Sequence, residues 1–243
     1  MADRYFVEAP IVGNRVKLTG DEAHHLLHVM RAKPGQAATL FDGSGAEFLA
    51  RIERLGRREV ELAIVERMAI DRELPLEATL SVALPKGDRQ RWLVEKAVEL
   101  GVARLVPLET ARGVAQPVDK ALVRLRRAVI EASKQCGRNR LMEIAASESW
   151  ASDCSAPKPP GCLRVLADPS GKASLREILS ACPAPSSVQA AIGPEGGWTD
   201  EELSLARDHG WQIVGLGPRI LRVETAALAV AAVVGQAFQP DSP

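Results

Sequence analysis

Short runs in which apolar and polar residues alternate make up most of the first seventy positions of the chain. Two predicted strands, Ala37–Phe41 and residues 47–52, are separated by the sequence Asp42-Gly43-Ser44-Gly45, which is typical of a β-hairpin turn. The pattern also predicts one helix and three further strands: helix 22–31, with Thr19 or Asp21 as its N-cap, and strands 4–9, 15–19 and 59–65. Together they predict a small β-barrel-like domain over residues 1–72, which ends at the polar, proline-bearing stretch 71–75.

After residue 72 the pattern changes, and apolar runs alternate with amphipathic helical segments. The predicted strands are 79–84, 102–108, 163–167, 188–192 and 211–216. The predicted helices are 90–100, 119–136, one that begins at Thr199 with a capping box, and 223–238. Residues 152–161 are rich in proline and predict a loop. Alternation of this kind is typical of an α/β domain with a mostly parallel sheet, here over residues 73–243.

The last predicted helix has no polar face, because residues 226–234 are all alanine, leucine or valine. Such a helix has to be buried on every side, either in the core or against a second subunit. A run of nine residues is too short to cross a bilayer, which takes roughly 20. The sequence therefore predicts no membrane segment.

The net charge is zero, with 31 Lys and Arg against 31 Asp and Glu, but the charges are unevenly distributed. Residues 86–140 carry 13 basic and 6 acidic side chains, whereas residues 141–243 carry 7 basic and 12 acidic ones. A local basic excess can mark a surface that binds a polyanion. It can equally solvate helix surfaces, and charge alone leaves both interpretations open.

Several kinds of site are not supported by the motifs. The four cysteines have no CxxC spacing, and His24, His25 and His28 have no carboxylate or cysteine that completes a metal set, so we expect free thiols and no metal. No GxGxxG follows a strand and no P-loop is present, which argues against dinucleotide and nucleoside triphosphate sites. The first residues lack the pattern of a secretory signal. We therefore expect a cytoplasmic protein.

Three loops rich in glycine or proline follow successive predicted strands: residues 167–171, 193–198 and 215–219. In open α/β sheets the ligand crevice lies at the carboxyl ends of the strands. Glycine there lets backbone groups approach a ligand closely. The three loops together predict a ligand site at one edge of the sheet.

Two of these loops resemble the hallmark motifs of the ribosomal RNA small-subunit uridine-N3 methyltransferase family, of the SPOUT (α/β-knot) class. The first is Gly193-Pro194-Glu195-Gly196-Gly197, and the second is residues 216–226, Leu-Gly-Pro-Arg-Ile-Leu-Arg-Val-Glu-Thr-Ala. Residues 24–31, 83–89, 95–102 and 135–138 are similar to the same family. The likeness covers nearly the whole chain.

This resemblance implies a C-terminal SPOUT methyltransferase domain with a trefoil knot, an N-terminal PUA-like barrel and an obligate homodimer. The implied substrate is 16S ribosomal RNA, methylated at N3 of a uridine in the small ribosomal subunit. We expect assembled 30S particles to be better substrates than naked RNA, because a folded target lets the barrel and the basic helices hold several phosphates at once. The implied cofactor is S-adenosyl-L-methionine. Its expected binding residues are Leu166, Ala167, Ile192, Gly193, Pro194, Gly196, Gly197, Leu216, Gly217, Ile220, Leu221, Arg222, Thr225 and Ala226.

Methyl transfer to N3 requires that the uracil lose a proton and that negative charge on its carbonyl groups be stabilised. Arg222 suits the second task, and Glu195 or Glu224 the first. For Glu224 a structural role in the first turn of a helix is an open alternative. The residues expected to contact RNA are Arg31, Lys86, Arg89, Arg112 and Arg138.

Two other functions remain possible at this point. A non-catalytic RNA-binding or ribosome assembly factor could share the fold, although the intact Arg222, Glu224 and glycine loops argue against it. A metabolic α/β enzyme that acts on a small anionic substrate would leave the N-terminal barrel unexplained.

Overall fold

The computed structural model describes residues 4–113, 119–182 and 184–238. The chain forms two compact units. The first comprises the chain up to Glu73 together with Ser133–Leu141, and the second comprises Leu74–Ala132 and the chain from Met142 onward. The sequence pattern gives no sign that Ser133–Leu141 belongs with the first unit, because its first four residues are the end of the predicted helix 119–136.

The first unit is built on a five-stranded sheet. Its strands are β1 (Arg4–Phe6), β2 (Arg15–Leu18), β3 (Ala37–Phe41), β4 (Glu47–Leu55) and β5 (Val60–Met68), in the order β1-β3-β4-β5-β2. β3 and β4 form the predicted hairpin, in which Phe41 pairs with Glu47. The predicted helix begins two residues earlier and is irregular: α1 (Gly20–His24) continues into a π-helical turn at His25–Val29.

The second unit is an α/β structure whose strands all pair in parallel. Its strands are β6 (Glu77–Val82), β7 (Arg104–Glu109), β8 (Glu143–Ile144), β9 (Glu148–Ser149), β10 (Cys162–Ala167), β11 (Ala173–Ser174), β12 (Ser187–Ile192) and β13 (Gln212–Gly215). The sheet order is β11-β13-β10-β12-β6-β7-β8, and β9 pairs with β7. β10 therefore lies between β12 and β13, and β6 lies on the other side of β12.

Helices connect these strands. They are α2 (Arg89–Glu99), α3 (Asp119–Cys136), α4 (Trp150–Ser155), α5 (Leu175–Ser180), α6 (Asp200–Asp208) and α7 (Val223–Ala237). α2 ends at Gly101, whose φ of +82° suits glycine at a helix C-terminus. The sequence pattern did not predict α4 and α5, since six residues are too few to show helical periodicity. The loop predicted at residues 152–161 is wrong at its start, which lies in α4.

α7 is buried on one side only within this chain. It packs against α2, α5, β6 and β12, and residues such as Ala227 and Val230 are almost fully buried. Four apolar residues on the rest of the helix are only half-buried: Leu228, Ala229, Ala232 and Val233. A single chain therefore does not bury α7 on every side.

The four cysteines are free thiols. Cys136, Cys154, Cys162 and Cys182 form no disulfide, and burial raises the pKa of the Cys154 thiol to about 11. Among the described residues, no group of three or more His, Cys, Asp or Glu side chains is arranged to hold a metal ion. No helix in the described ranges has the length and apolar character needed to cross a membrane.

The capping box at the start of α6 fixes the end of the loop that follows β12. Thr199 Oγ1 accepts a hydrogen bond from Glu202 N at 3.2 Å, and Glu202 Oε2 accepts one from Thr199 N at 2.9 Å. This reciprocal pair is the one predicted from the sequence. It satisfies two backbone donors that would otherwise lack partners.

Thr199→Ala should lower the free energy of unfolding by about 1 kcal/mol, because it removes the N-cap acceptor. Ser204→Ala is the matched control, since Ser204 is exposed inside the same helix and alanine is favourable there. Urea denaturation followed by circular dichroism measures both. Equal stability of the two variants would contradict the role of the cap.

Candidate functional site

The loops after neighbouring strands of the parallel sheet surround a cavity of about 270 Å³. Because β13, β10 and β12 are adjacent and parallel, their carboxyl ends lie at one edge of the sheet. The cavity is lined by Ala167, Asp168, Pro169, Ile192, Gly193, Pro194, Glu195, Gly196, Gly197, Trp198, Leu216, Gly217, Arg219, Ile220, Leu221, Val223 and Ala226. All three loops predicted from the sequence contribute to it.

The loop after β12, residues 193–198, is held by the indole of Trp198. Trp198 Nε1 donates a hydrogen bond to Ala167 O at 3.1 Å, which connects this loop to the end of β10. A Cβ at Gly193 would lie 2.8 Å from Trp198 Cε2. Glycine is therefore required at position 193 so that the ring can pack beneath the loop.

Three tryptophans pack together beside this loop. The ring centroid of Trp150 lies 4.7 Å from that of Trp198 and 5.1 Å from that of Trp211. Trp150 Nε1 and Trp211 Nε1 also donate to backbone carbonyls, those of Glu202 and Cys154. A cluster of this kind combines large apolar burial with satisfied polar groups, so it forms a rigid support for the cavity.

The loop after β10 packs directly on the backbone of β13. A Cβ at Gly171 would overlap the backbone of Val214 and Gly215, so this position needs glycine. Asp168 N donates to Val214 O at 3.0 Å. The close approach brings Asp168 and Pro169 into the cavity wall.

The loop after β13 leads into the first turn of α7. Gly217 has a φ of +103°, a conformation that other residues rarely adopt. Ile220 is 81% exposed although it lines the cavity, so an apolar side chain stands at the cavity mouth. Arg222 is the N-cap of α7 and is exposed, as is Thr225.

Arg112 holds the loop after β12 through backbone carbonyls, which differs from its expected role as an RNA contact. Arg112 Nη1 donates to Gly196 O at 2.9 Å and to Trp198 O at 3.2 Å. The loop that carries Arg112 is itself fixed on α6, since Ala111 N donates to Glu202 Oε1 at 2.8 Å. Arg112 thus has a structural task at the cavity that its charge did not reveal.

Arg89, also expected to contact RNA, lies between the two carboxylates expected to be catalytic. Its Nη2 is 3.6 Å from Glu195 Oε1, and its Nη1 is 3.6 Å from Glu224 Oε1. The Glu224 side chain is only 8% exposed, whereas that of Glu195 is 49% exposed. Glu195 lines the cavity and Glu224 does not.

Arg138 is buried, and this contradicts its expected role as an RNA-phosphate contact. It is 4% exposed, and its guanidinium donates to both carboxylate oxygens of Glu73, through Nε at 3.1 Å and through Nη2. A bidentate pair of this kind is strong and geometrically fixed. Lys86 and Arg31, the other two expected RNA contacts, are exposed.

Most residues expected to bind the cofactor lie in the cavity wall. Eleven of the fourteen line it, and Glu195 does so as well. Leu166 is fully buried beneath the wall. Arg222, the N-cap of α7, and Thr225, in its first turn, lie outside the lining. Five lining residues were not in the expected set: Asp168, Pro169, Trp198, Arg219 and Val223. Four of them lie in the three loops, so assignment of the whole loops would have included them, whereas Val223 is the first residue of α7.

Two sequence families match the chain. Residues 72–235 match the family described as RNA methyltransferase domain, and residues 18–65 match the RNA methyltransferase PUA domain. The first match covers more than half of the chain. The protein belongs to this RNA methyltransferase family. The expected α/β fold and PUA-like N-terminal domain are thereby confirmed.

Similar proteins match this chain over most of its length. The ribosomal RNA small subunit methyltransferase E of Synechocystis is 35% identical over 217 residues, which cover 89% of this chain and 71% of that protein. The protein of the same name from Bacillus subtilis is 30% identical, with 93% of each chain covered.

Solved structures agree with this assignment. The ribosomal RNA small subunit methyltransferase E of Neisseria gonorrhoeae, bound to S-adenosylmethionine, is 32% identical with a TM-score of 0.89, and the match covers 98% of both chains. A methyltransferase of Legionella pneumophila, in complex with the same cofactor, is 32% identical with a TM-score of 0.86 over 98% of both chains.

Gly193→Ala should lower the free energy of unfolding by about 1–3 kcal/mol, because the new methyl group overlaps the Trp198 ring. The same substitution in a Trp198→Phe background should cost less, since the smaller ring leaves room for the methyl group. Urea denaturation followed by circular dichroism measures both differences. If the cost is the same in both backgrounds, the Trp198 contact does not explain the glycine.

Proposed function

We propose that this protein is an S-adenosylmethionine-dependent methyltransferase that methylates N3 of a specific uridine in 16S ribosomal RNA. The observation that carries the proposal is the cavity at the ends of β10, β12 and β13. All of its lining residues lie within the part of the chain that matches the RNA methyltransferase family, and two solved relatives with the same fold contain S-adenosylmethionine. The assignment of uridine as the target and of N3 as the methylated atom rests on the motif resemblance described above.

The cavity wall has the chemistry that a nucleoside-like cofactor needs. Ile192, Leu216 and Leu221 provide apolar surface for a base. Glycines at positions 193, 196, 197 and 217 have no Cβ, so a ligand can approach the backbone of these loops closely. When bound, S-adenosylmethionine supplies an electrophilic methyl group attached to a sulfonium.

The burial of the two carboxylates favours Glu195 over Glu224 as the proton acceptor. Glu195 is half-exposed in the cavity wall, where it can reach a uracil base. Glu224 is buried against Arg89 and lies outside the lining. Arg222 is exposed at the start of α7, from where its guanidinium can stabilise negative charge that develops on the uracil carbonyl groups.

We include an obligate homodimer and a trefoil knot in this proposal. The half-buried apolar face of α7, formed by Leu228, Ala229, Ala232 and Val233, supports the dimer, since a contiguous apolar surface favours contact with another protein surface. The knot rests on the family resemblance.

RNA binding is supported by a groove of about 500 Å³ in the second unit, which we call the arginine groove. Arg91, Arg124 and Arg127 line it together with Gly87, Asp88, Gln90, Ala121, Leu125, Ala128 and Glu131. Arg124 and Arg127 are exposed on α3. Guanidinium groups suit contacts with phosphate, and Lys86, one residue before the groove lining begins, is exposed as well. The PUA domain is the second element of RNA recognition in this proposal.

The test of the chemistry is methyl transfer to purified 30S subunits, followed by nucleoside mass spectrometry. The expected product is N3-methyluridine, formed faster on assembled subunits than on naked 16S RNA, because a folded target can hold several contacts at once. Arg222→Ala should lower turnover by roughly 2–4 kcal/mol of transition-state stabilisation with little loss of cofactor affinity.

Arg176→Ala is the control, since Arg176 is exposed on α5 and lies outside the cavity lining. A ribose-methylated or cytidine product would refute the proposed reaction. Normal turnover of Arg222→Ala would exclude that residue from the mechanism.

The arginine groove predicts a specific salt dependence of RNA binding. Replacing Arg124 and Arg127 together by Gln should flatten the slope of log affinity against log salt concentration by up to about two units, one for each lost phosphate contact. Arg176→Gln with Arg207→Gln removes the same charge from two other exposed helix positions of the same unit. Fluorescence anisotropy with 16S RNA fragments measures both slopes, and equal slopes would contradict the role of the groove.

A further inference from the structure

Arg89 joins a loop of the cavity wall to the first turn of α7, two segments that are separated in the sequence. It is the first residue of α2, which follows the loop after β6. Its two terminal nitrogens face different carboxylates, Glu195 from the loop after β12 and Glu224 from the first turn of α7, each at 3.6 Å. One guanidinium thus connects three elements at the same edge of the sheet.

Glu224 is the fixed end of this arrangement. Its side chain is 8% exposed, and its Oε2 atom is buried without a hydrogen-bond partner among the described residues. A buried carboxylate without a cation is costly, and within the described ranges Arg89 provides the cationic contact that the structure shows for it. The pair with Glu224 therefore holds the guanidinium in place.

Glu195 is the more exposed end. Its side chain is half-exposed, and an isolated ion pair of that kind contributes little. Arg89, however, is already oriented by Glu224, so less side-chain entropy is lost when it also holds Glu195. Arg112 donates to two backbone carbonyls of the same loop, those of Gly196 and Trp198. Two arginines thus hold the loop.

We propose that Arg89 is a positioning residue for the cofactor: through Glu195 it fixes the loop of residues 193–198, and Glu224 anchors it. This inference rests on the proposed function for the identity of the ligand. It replaces the expectation that Arg89 contacts RNA, because both of its terminal nitrogens face carboxylates of the protein. It also gives Glu224 a structural task in place of proton transfer.

The first experiment separates a role in cofactor binding from a role in RNA binding. Arg89→Gln should weaken S-adenosylmethionine binding by about tenfold, because the loop is less preorganised, and should leave the salt slope of RNA binding unchanged. Arg89→Lys should bind the cofactor with intermediate affinity, since an ammonium cannot present two separate nitrogens. Lys96→Gln is the control, because it removes a cation that pairs with Glu99 at 2.6 Å on the same helix. It should change neither the cofactor affinity nor the salt slope of RNA binding.

Calorimetry gives the cofactor affinity, and fluorescence anisotropy at several salt concentrations gives the slope for RNA. Normal cofactor affinity of Arg89→Gln, together with a salt slope flattened by about one unit, would overturn the inference and restore the RNA contact.

A second experiment tests the anchor without depending on any ligand. Arg89→Gln leaves the buried Glu224 charge unpaired and should lower the Tm by roughly 5 °C. Adding Glu224→Gln removes that charge, so the double variant should be more stable than the sum of the two single effects predicts. Additive effects would overturn the anchoring role. If the wild-type protein binds no S-adenosylmethionine, the proposed function fails, and this cycle still decides whether Glu224 anchors Arg89.

Discussion

The parallel register of β10 with both of its neighbours determines where the cavity forms. Ala167, the last residue of β10, pairs with Ile192 on one side and with Val214 on the other. Three strands therefore end at the same level, and the three loops that leave them have to share a small volume. They fit because position 171 has no Cβ to overlap β13 and position 193 leaves space for an indole ring. The glycines of these loops thus serve packing between loops as much as contact with a ligand.

The sequence was sufficient to predict this edge of the sheet because its signals are local. Mostly apolar runs of five residues, 163–167 and 188–192, marked β10 and β12, and each was followed directly by a glycine or proline motif. The capping box at Thr199 and Glu202 depends on two residues three positions apart, so it too could be predicted. The features that were missed have no local signal. The return of Ser133–Leu141 to the first unit and the cluster of three tryptophans depend on contacts between distant residues.

The arginines that were expected to contact RNA show more clearly that contacts between distant residues cannot be predicted from local sequence patterns. Residues 86–140 carry a basic excess, and three of the arginines in that range were expected to contact RNA. Each of the three has an acceptor that lies far away in the sequence: Arg89 faces Glu195 and Glu224, Arg112 faces the carbonyl of Gly196, and Arg138 faces Glu73. These pairings cannot be predicted from the number of charged residues along the chain. Guanidinium groups are well suited to them, since their fixed fork of donors matches carboxylates and carbonyl groups.

These pairings also restrict how the proposed enzyme can recognise RNA. The cations that remain exposed in this range include Lys86, Arg124 and Arg127, which suffice for a few phosphate contacts and hence for moderate affinity. Phosphate contacts carry no sequence information by themselves. Selection of one uridine must then come from the shape of the folded RNA, read by more than one surface of the protein. Trp198, Arg89 and Arg112 already hold the loops of the cavity. The reacting groups can therefore stay in place while weak contacts, distributed over more than one surface, position the RNA.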